Sequence, residues 1–236
     1  QAQALNNALL AAISHDYRTP LATIMGAATS LESQADKLNL AQRQQLAQGI
    51  VEEVSRLARL TDNTLQLARL GAPGMQLRCD WESAEEIVGT ALRRVRRRPE
   101  GARVHAHVEP GLQLLWCDAL LVSQLLDNLV DNALKYSAAD APVELLVHRA
   151  GPDALLAVRD RGPGVEPGFR ERIFEVFKRG DVGPQGPRAG AGVGLAVCRA
   201  IAEAHAGSLR LRPRGHGGTA FEFRLPLREV PAMEDL

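Results

Sequence analysis

Two stretches near the start of the chain carry apolar residues at helical spacing. In the first, the intervals are 4, 4, 4, 3, 4 and 3 residues, at Leu9, Ile13, Tyr17, Leu21, Ile24, Ala28 and Leu31. In the second they are 4, 4, 3, 3, 4 and 3, at Leu46, Ile50, Val54, Leu57, Leu60, Thr64 and Leu67. Such intervals are typical of one face of an amphipathic helix. A polar turn near residues 34–37 joins the two stretches, which predicts a helical hairpin.

A two-helix hairpin cannot cover its own apolar faces, whereas two hairpins packed as a four-helix bundle can. We therefore expect residues 1–70 to form a homodimer. On the first helix, His15 lies two residues past Ile13, about 200° around the axis from the apolar stripe. The imidazole is therefore predicted to face solvent, where its neutral form is a competent nucleophile near pH 7.

Two neighbours of His15 fit this role. Asp16 follows it directly and can accept a proton from one ring nitrogen, which leaves the other free to attack phosphorus. Pro20 removes one intrahelical hydrogen bond and is expected to bend the helix just past the histidine. The ordinary alternative is a surface histidine beside a surface aspartate.

Composition narrows the functional classes. The 236 residues include 28 basic and 28 acidic side chains, and a net charge of zero argues against binding driven by nucleic-acid phosphates. The sequence contains no run of 18 apolar residues, which is about the length needed to span a membrane. The three cysteines are widely spaced, which favours reduced thiols in the cytoplasm over zinc or disulfides. Because the chain starts at Gln1 without a signal-like segment, we expect a cytoplasmic fragment of a longer protein.

Beyond the Gly- and Pro-containing linker at 71–74, strands and helices are mixed without strict alternation. Strands are expected near 75–81, 103–108, 112–116, 143–148, 154–159, 208–212 and 220–225, and helices after Ser83 and over 118–136 and 193–206. This pattern predicts an α+β sandwich with a mixed sheet on one side and helices on the other. Ser83 and Glu86 form a capping signature. The five arginines within 93–98 are interpreted as a solvated helix end that complements the helix dipole, rather than as an anion site.

Four segments have residue types that suit a nucleotide. In the first, Asn128, Asn132 and Tyr136 share one helix face with Lys135 beside them. Amide oxygens suit Mg²⁺ and a lysine suits phosphate. In the second, Asp160 follows a strand and precedes Gly162 and Gly164; its carboxylate can accept a hydrogen bond from the adenine amine. Taken alone, each segment also fits a polar helix face or an ordinary turn.

The third segment, 173–179, leads into a stretch rich in glycine and proline, which suits a lid over bound nucleotide that Phe174 and Phe177 would anchor. The ordinary alternative is a disordered surface loop with two core phenylalanines. The fourth opens a helix with three alternating glycines followed by an apolar residue: Gly190, Gly192, Gly194 and Leu195. Backbone N–H groups at such a helix start bind phosphate. Leu195 excludes a dinucleotide fingerprint, and no Gly-Lys-Ser/Thr of a P-loop occurs. Thr219 and the two glycines before it add a contact at the adenine end.

The histidine block at 14–21 resembles the phosphoacceptor box of bacterial sensor histidine kinases, and the four segments resemble the N, G1, F and G2 boxes of their ATP domain. That domain is similar to those of gyrase, Hsp90 and MutL. The resemblance covers about residues 5–226. Residues 14–31 and 198–205 look most like the potassium-sensing (osmosensitive potassium-channel) histidine kinases.

The resemblance implies a domain order. Residues 1–70 would form the dimerisation and phosphoacceptor domain, 71–80 a hinge, 81–228 an α/β-sandwich ATP-binding domain and 229–236 a tail. The implied site consists of His15, Asp16 and Thr19 for chemistry, and of Asn128, Asn132, Lys135, Tyr136, Asp160, Gly162, Gly164, Arg179, Gly190, Gly192, Gly194, Leu195 and Thr219 for ATP–Mg²⁺.

Particular roles follow from the same resemblance. Asn132 would coordinate Mg²⁺, Arg179 would meet the γ-phosphate, and Thr19 would position a water during dephosphorylation of the partner. Tyr17 and Lys178 depart from the family pattern, where a smaller aliphatic and an aromatic residue are usual.

The implied function is a protein histidine kinase. ATP would phosphorylate His15, and the phosphoryl group would pass to an aspartate of a response regulator, with phosphatase activity toward that regulator as a second role. The parent protein would be anchored in the bacterial inner membrane. Two alternatives stay open: a conformational ATPase of the gyrase type without a phosphoacceptor, and a non-catalytic dimeric scaffold.

Overall fold

The computed structural model describes residues 2–34, 36–72, 74–176, 192–215 and 217–229, and side chains from residue 17 onward. The chain divides into two compact units, Gln1–Gln66 and Leu67–Leu236. Within the part described, no helix is both long enough and apolar enough to cross a membrane.

The first unit is the predicted helical hairpin. Helix α1 spans Ala2–Ser33 and α2 spans Leu40–Leu70. Asn39 and Gln42 exchange hydrogen bonds between side chain and backbone, both 2.9 Å long, which caps the start of α2. Across the hairpin, the Tyr17 hydroxyl donates to Thr61 Oγ1 at 3.0 Å. Helix α1 continues through the buried Pro20.

The hairpin leaves several large apolar side chains in solvent. Leu21 and Met25 on α1 are 49 % and 65 % exposed, and Val51, Val54 and Leu65 on α2 are each at least half exposed. Leu21 and Val54 belong to the two predicted stripes, so the single hairpin leaves part of each stripe uncovered, while Leu60 of the second stripe is buried. Apolar surface of this extent on both helices is typical of a site that packs against another protein surface.

The second unit is a two-layer α+β sandwich, so the predicted fold class is confirmed. Its helices are α3 (Ala84–Val95), α4 (Ala119–Tyr136) and α5 (Gly194–Ala204). Its strands are β1 (Asp80–Glu82), β2 (Val104–Val108), β3 (Leu115–Cys117), β4 (Val143–Ala150), β5 (Asp153–Arg159), β6 (Ser208–Pro213) and β7 (Thr219–Pro226). Five strands form a sheet in the order β2-β4-β5-β7-β6, and β1 pairs separately with β3. The sheet is mixed, because β2 and β4 are parallel and the other pairs antiparallel.

The core lies between the sheet and its three helices. Helix α4 packs between α3 and α5 and contacts β4 and β5. Side chains that are less than 2 % exposed come from both layers: Leu125, Leu126, Leu129, Leu145, Leu156, Ile201, Phe223 and Leu225. Strand β4 alternates buried and half-buried residues, so one face of the sheet is apolar and the other polar. Helix α4 is thereby fixed with its leucines inward and its amide face outward.

Local signals placed the helix starts correctly. Ser83 caps α3 by accepting from the N–H of Glu86, and Asp118 caps α4 by accepting from the N–H of Leu121. The strand expected over 75–81 is wrong in its first part, since residues 75–79 form no strand and the ladder begins at Asp80. The partner strand β3 is also shorter than expected and limits this ladder to three residue pairs.

Two members of the arginine cluster do more than complement a helix dipole, because they form ion pairs. Arg94 pairs with Asp127 at 2.6 Å, and Arg98 pairs with Asp131 at 2.8 Å. Both acids are on α4, one turn apart, so the arginines join α3 to α4 and do not only complement a helix dipole. Burial raises the pKa of Asp127, while the hydrogen bond and the charge of Arg94 oppose that rise.

His205 connects the end of α5 to the start of α4. Its ring is buried; Nε2 accepts from the backbone N–H of Asp118 at 3.0 Å, and Nδ1 lies 2.8 Å from the carbonyl oxygen of Ile201. An Nε2 that accepts requires the neutral ring with its proton on Nδ1. Burial lowers the pKa of His205, opposed by the Ile201 carbonyl and by the Asp118 charge.

We expect this histidine to make folding sensitive to acid. The unfolded chain binds the proton at a higher pH than the folded chain, so stability is full above about pH 6.5 and falls as the pH drops below it. His205→Ala should lower the free energy of unfolding at neutral pH by about 1–3 kcal/mol and flatten this acid dependence. Urea unfolding across pH 5–8 measures both. The exposed His105 provides the control, because His105→Ala should change neither value; an unaltered pH profile in His205→Ala would contradict the assignment.

Candidate functional site

The phosphoacceptor candidates lie in the first unit. The backbone of His15 and Asp16 belongs to α1, and their side chains lie outside the described residues, so the predicted solvent-facing imidazole stays a prediction. Thr19 follows one turn later with an exposed side chain, and its carbonyl oxygen accepts a hydrogen bond from Thr23 Oγ1 at 3.2 Å. His15, Asp16 and Thr19 therefore lie within five consecutive residues of α1.

In the second unit, Asp160 is held at the end of β5. Its Oδ1 accepts hydrogen bonds from the N–H groups of Gly162, at 2.7 Å, and Thr219, at 3.2 Å. Its own N–H donates to the Thr219 carbonyl at 2.8 Å. The residue is 5 % exposed. Burial raises the pKa of this carboxyl, and the two backbone hydrogen bonds and the charge of Arg214 oppose the rise.

The glycines around Asp160 let three backbone segments meet. A Cβ on Gly162 would lie 2.9 Å from the carbonyl oxygen of Tyr136, the last residue of α4. A Cβ on Gly218 would overlap the carbonyl oxygen of Asp160, and Gly218 has a φ of +95°. Any side chain at either position would push these segments apart. The structure therefore brings together the end of α4, the turn after β5 and the start of β7.

The amide face of α4 adjoins this turn. Asn128, Asn132, Lys135 and Tyr136 are all half-buried, and the Lys135 ammonium lies 4.8 Å from the centroid of the Tyr136 ring. The Nδ2 atom of Asn128 is buried and has no hydrogen-bond partner among the described residues. The sulfur of Cys198, a weak acceptor, lies beside this amide.

Helix α5 begins beside the same face. The thiol of Cys198 donates to the Leu125 carbonyl of α4 at 3.6 Å. Burial raises the pKa of Cys198, and the neighbouring Asn128 amide opposes that rise, so Asn128 lies close to α5. At the start of α5, Gly192 has a φ of +67° and the N-cap residue Val193 provides no side-chain cap. The N-cap side chain therefore supplies no acceptor for the first N–H groups of α5, including those of Gly194 and Leu195, which suits phosphate.

Phe174 is fixed between the sheet and α5. Its ring meets that of Phe221 on β7 edge to face at 6.2 Å, and the Arg199 guanidinium of α5 lies 4.2 Å from the ring centroid. Arg199 also pairs with Glu171 at 2.9 Å. Phe174 is therefore a core residue, and its predicted role as the anchor of a lid stays a prediction. Phe177, Lys178, Arg179 and Gly190 lie outside the described residues.

Two functional candidates were missed by sequence reasoning. Arg199 stacks on Phe174, and Arg214 donates to the Asp160 carbonyl oxygen. Neither belongs to a motif, and each reaches a residue at least 25 positions away in the chain. The only sequence signal for Arg214 is a cation placed just before a pair of glycines, which many surface turns share.

Comparison with known proteins adds independent findings. The model described as "His Kinase A (phospho-acceptor) domain" matches residues 5–73, and "Histidine kinase-, DNA gyrase B-, and HSP90-like ATPase" matches residues 117–229. Sensor protein KdpD of Escherichia coli (strain K12) is 36 % identical over 231 residues, which is 98 % of this chain and 25 % of KdpD. The chain thus spans about a quarter of the length of that relative.

Two solved structures resemble this chain over most of its length. ShkA, a full-length protein in complex with AMPPNP, is 29 % identical with a TM-score of 0.67, over 94 % of this chain and 46 % of its own. The histidine kinase ThkA, in complex with response regulator protein TrrA, is 18 % identical with a TM-score of 0.73, over 95 % of this chain and 63 % of its own. At 18 % identity, the second likeness shows a shared fold.

Proposed function

The chain belongs to the sensor histidine kinases, and we propose that it is the part of one that phosphorylates its own His15 from ATP. The phosphoryl group would then pass to an aspartate of a response regulator. The observation that carries the proposal is that one chain contains both a phospho-acceptor segment with His15 and the glycine-lined turn around Asp160. The resemblance to potassium-sensing kinases is confirmed by the similarity to KdpD.

The residues of the second unit fit ATP. The Asp160 carboxylate suits the adenine amine, and the half-buried Asn128 and Lys135 on the adjoining face of α4 suit the phosphates. The first N–H groups of α5, whose N-cap residue supplies no side-chain cap, also suit a phosphate oxygen. The AMPPNP complex of ShkA, at 29 % identity, supports the same ligand class. The predicted site residues from Asn128 to Thr219 are therefore proposed as the nucleotide site.

Mg²⁺ fits through Asn132, whose amide oxygen is a hard ligand on the half-buried face of α4. No group of three or more His, Cys, Asp or Glu residues in the described part of the chain could hold a metal ion. Phosphate oxygens and water would then complete the ligands, as is usual for Mg²⁺. When bound, the ion would neutralise charge on the phosphates.

The proposed reaction is an in-line displacement. A ring nitrogen of His15 attacks the γ-phosphorus, an N–P bond forms, the bond to the bridging oxygen breaks and ADP leaves. Asp16, the next residue along the chain, would take the ring proton. The N–P bond is labile, so the phosphohistidine suits onward transfer to a carboxylate. Residues 71–80 are proposed as the hinge between 1–70 and 81–228.

A homodimer through the hairpin is part of the proposal. The exposed apolar side chains of both helices, among them Met25 and Val51, would be covered in a four-helix bundle of two copies. The gyrase-type ATPase without a phosphoacceptor is not favoured, because the phospho-acceptor model matches the segment that contains His15.

The proposal is tested by incubating the chain with γ-labelled ATP and Mg²⁺. For a phosphohistidine, we expect label that resists alkali and is lost in acid. α-Labelled ATP should leave no label on the protein. Label that survives acid and is lost in alkali would indicate a phosphoester and contradict the proposal. Sedimentation of the same sample measures the dimer.

A further inference from the structure

We propose that Arg214, supported by Glu144, is a positioning residue that orients Asp160 and so sets the preference of the site for adenine. The inference rests on the proposed ATP site and deepens it. No motif of the four nucleotide segments includes either residue.

Arg214 contacts Asp160 through the backbone. Its Nη1 donates to the Asp160 carbonyl oxygen at 3.0 Å, and its Nη2 donates to Glu144 Oε2 on β4 at 3.1 Å. The arginine side chain is 16 % exposed, so water competes little for these contacts. A planar guanidinium with both ends engaged has a single orientation, unlike a flexible ammonium.

The loop that carries Arg214 folds back onto the same residue. The N–H of Arg214 donates to the Gly218 carbonyl at 3.2 Å, and the N–H of Gly217 donates to the Arg214 carbonyl at 3.3 Å. Gly218 packs against the Asp160 carbonyl so closely that no Cβ fits between them. Arg214 and Gly218 therefore fix the Asp160 peptide from two directions.

The charge of Arg214 also acts on the Asp160 carboxyl. Asp160 is buried, which disfavours its ionised form, and Arg214 is the cation that opposes this effect. An ionised carboxylate only accepts hydrogen bonds. Adenine presents an amine donor at its six position, where guanine presents a carbonyl acceptor. Keeping Asp160 ionised and oriented therefore favours adenine over guanine.

The test uses the whole chain and displacement of a fluorescent ATP analogue by ATP–Mg²⁺ or GTP–Mg²⁺. Arg214→Ala should raise the Kd and the KM for ATP about tenfold, with kcat changed less than twofold. Its preference for ATP over GTP should fall. ATP affinity should also be lost at a higher pH than in the wild type, because Asp160 without Arg214 protonates more easily. Glu144→Gln should shift the Kd in the same direction by about two- to threefold.

Arg212→Ala is the matched control. Arg212 lies two residues earlier, has a side chain that is 56 % exposed and pairs with Glu222 at 3.6 Å, so its removal should change no binding parameter. If Arg214→Ala lowers the unfolding temperature too far for binding to be measured, Arg214→Lys is decisive; it keeps the charge and loses the two-ended contact, so ATP affinity should fall about threefold.

The outcomes separate the two proposals. Wild-type chain that fails to bind ATP overturns the proposed function. Wild-type chain that binds ATP, with Arg214 variants that bind it equally well or lose ATP and GTP affinity in equal proportion at every pH, overturns the role of Arg214 alone.

Discussion

Replacing His15 with glutamine should abolish acid-labile labelling by γ-labelled ATP, a loss of at least about a thousandfold in rate. Glutamine keeps a polar side chain of similar length but has no nitrogen lone pair that can attack phosphorus. The covalent step is therefore expected to stop when this nucleophile is removed. Filter-bound radioactivity after brief acid and alkali treatments measures the loss.

Nucleotide binding should survive the same change. The proposed ATP contacts come from residues 128–219 in the second unit, so the Kd for ATP–Mg²⁺ in His15→Gln should stay within about twofold of wild type. His107→Gln is the matched control, because His107 is exposed on β2 and its replacement should leave labelling intact. Acid-labile label on His15→Gln would show that another histidine is the acceptor and would contradict the assignment.

The helices were predictable because their signals are local. The apolar intervals of three and four residues mark α1 and α2, and Ser83 with Glu86 marks the start of α3; each of these signals is contained within a few neighbouring positions. The strands β4, β5 and β7 were also located to within one or two residues, since their apolar runs are bounded by turn residues.

What the sequence could not reveal depends on distant partners. Whether residues 75–79 form a strand is decided by the length of β3, almost 40 positions later. The pairing of Arg94 with Asp127 joins residues 33 positions apart, and the contacts of Arg214 span 54 and 70 positions. The Asp160 turn was recognised from its glycines, whereas the residues that hold it from outside carry no local pattern.

Asp160→Asn should raise the Kd for ATP about a hundredfold without loss of stability. Asparagine keeps an Oδ1 that can accept from the N–H groups of Gly162 and Thr219, so the turn is preserved. Its second atom becomes an NH₂ donor, which would face the adenine amine with no acceptor between them. Losing a charged hydrogen bond and leaving two buried donors unpaired accounts for a loss of this size. Isothermal titration with ATP–Mg²⁺ measures it.

The folded Asp160→Asn chain should be as stable as wild type or more stable, although its affinity for ATP falls. The pKa of Asp160 is raised in the folded chain, mainly by burial, so the folded state favours the protonated form. Its contribution to stability is therefore full below the ordinary carboxyl pKa, about 3.9, and is lost as the pH rises through the folded value. At neutral pH the buried charge opposes folding, and a neutral asparagine removes that cost.

Asp160→Asn should accordingly unfold at a temperature equal to or above that of wild type at pH 7, while it binds ATP far more weakly. Asp153→Asn is the matched control: Asp153 starts the same strand, pairs with Arg224 at 3.6 Å and should leave ATP affinity unchanged. A variant that loses binding and stability together would show that Asp160 mainly maintains the turn. A variant that keeps its ATP affinity would place adenine recognition elsewhere. One calorimetric series on wild type and the two variants measures both the ATP affinity and the unfolding temperature.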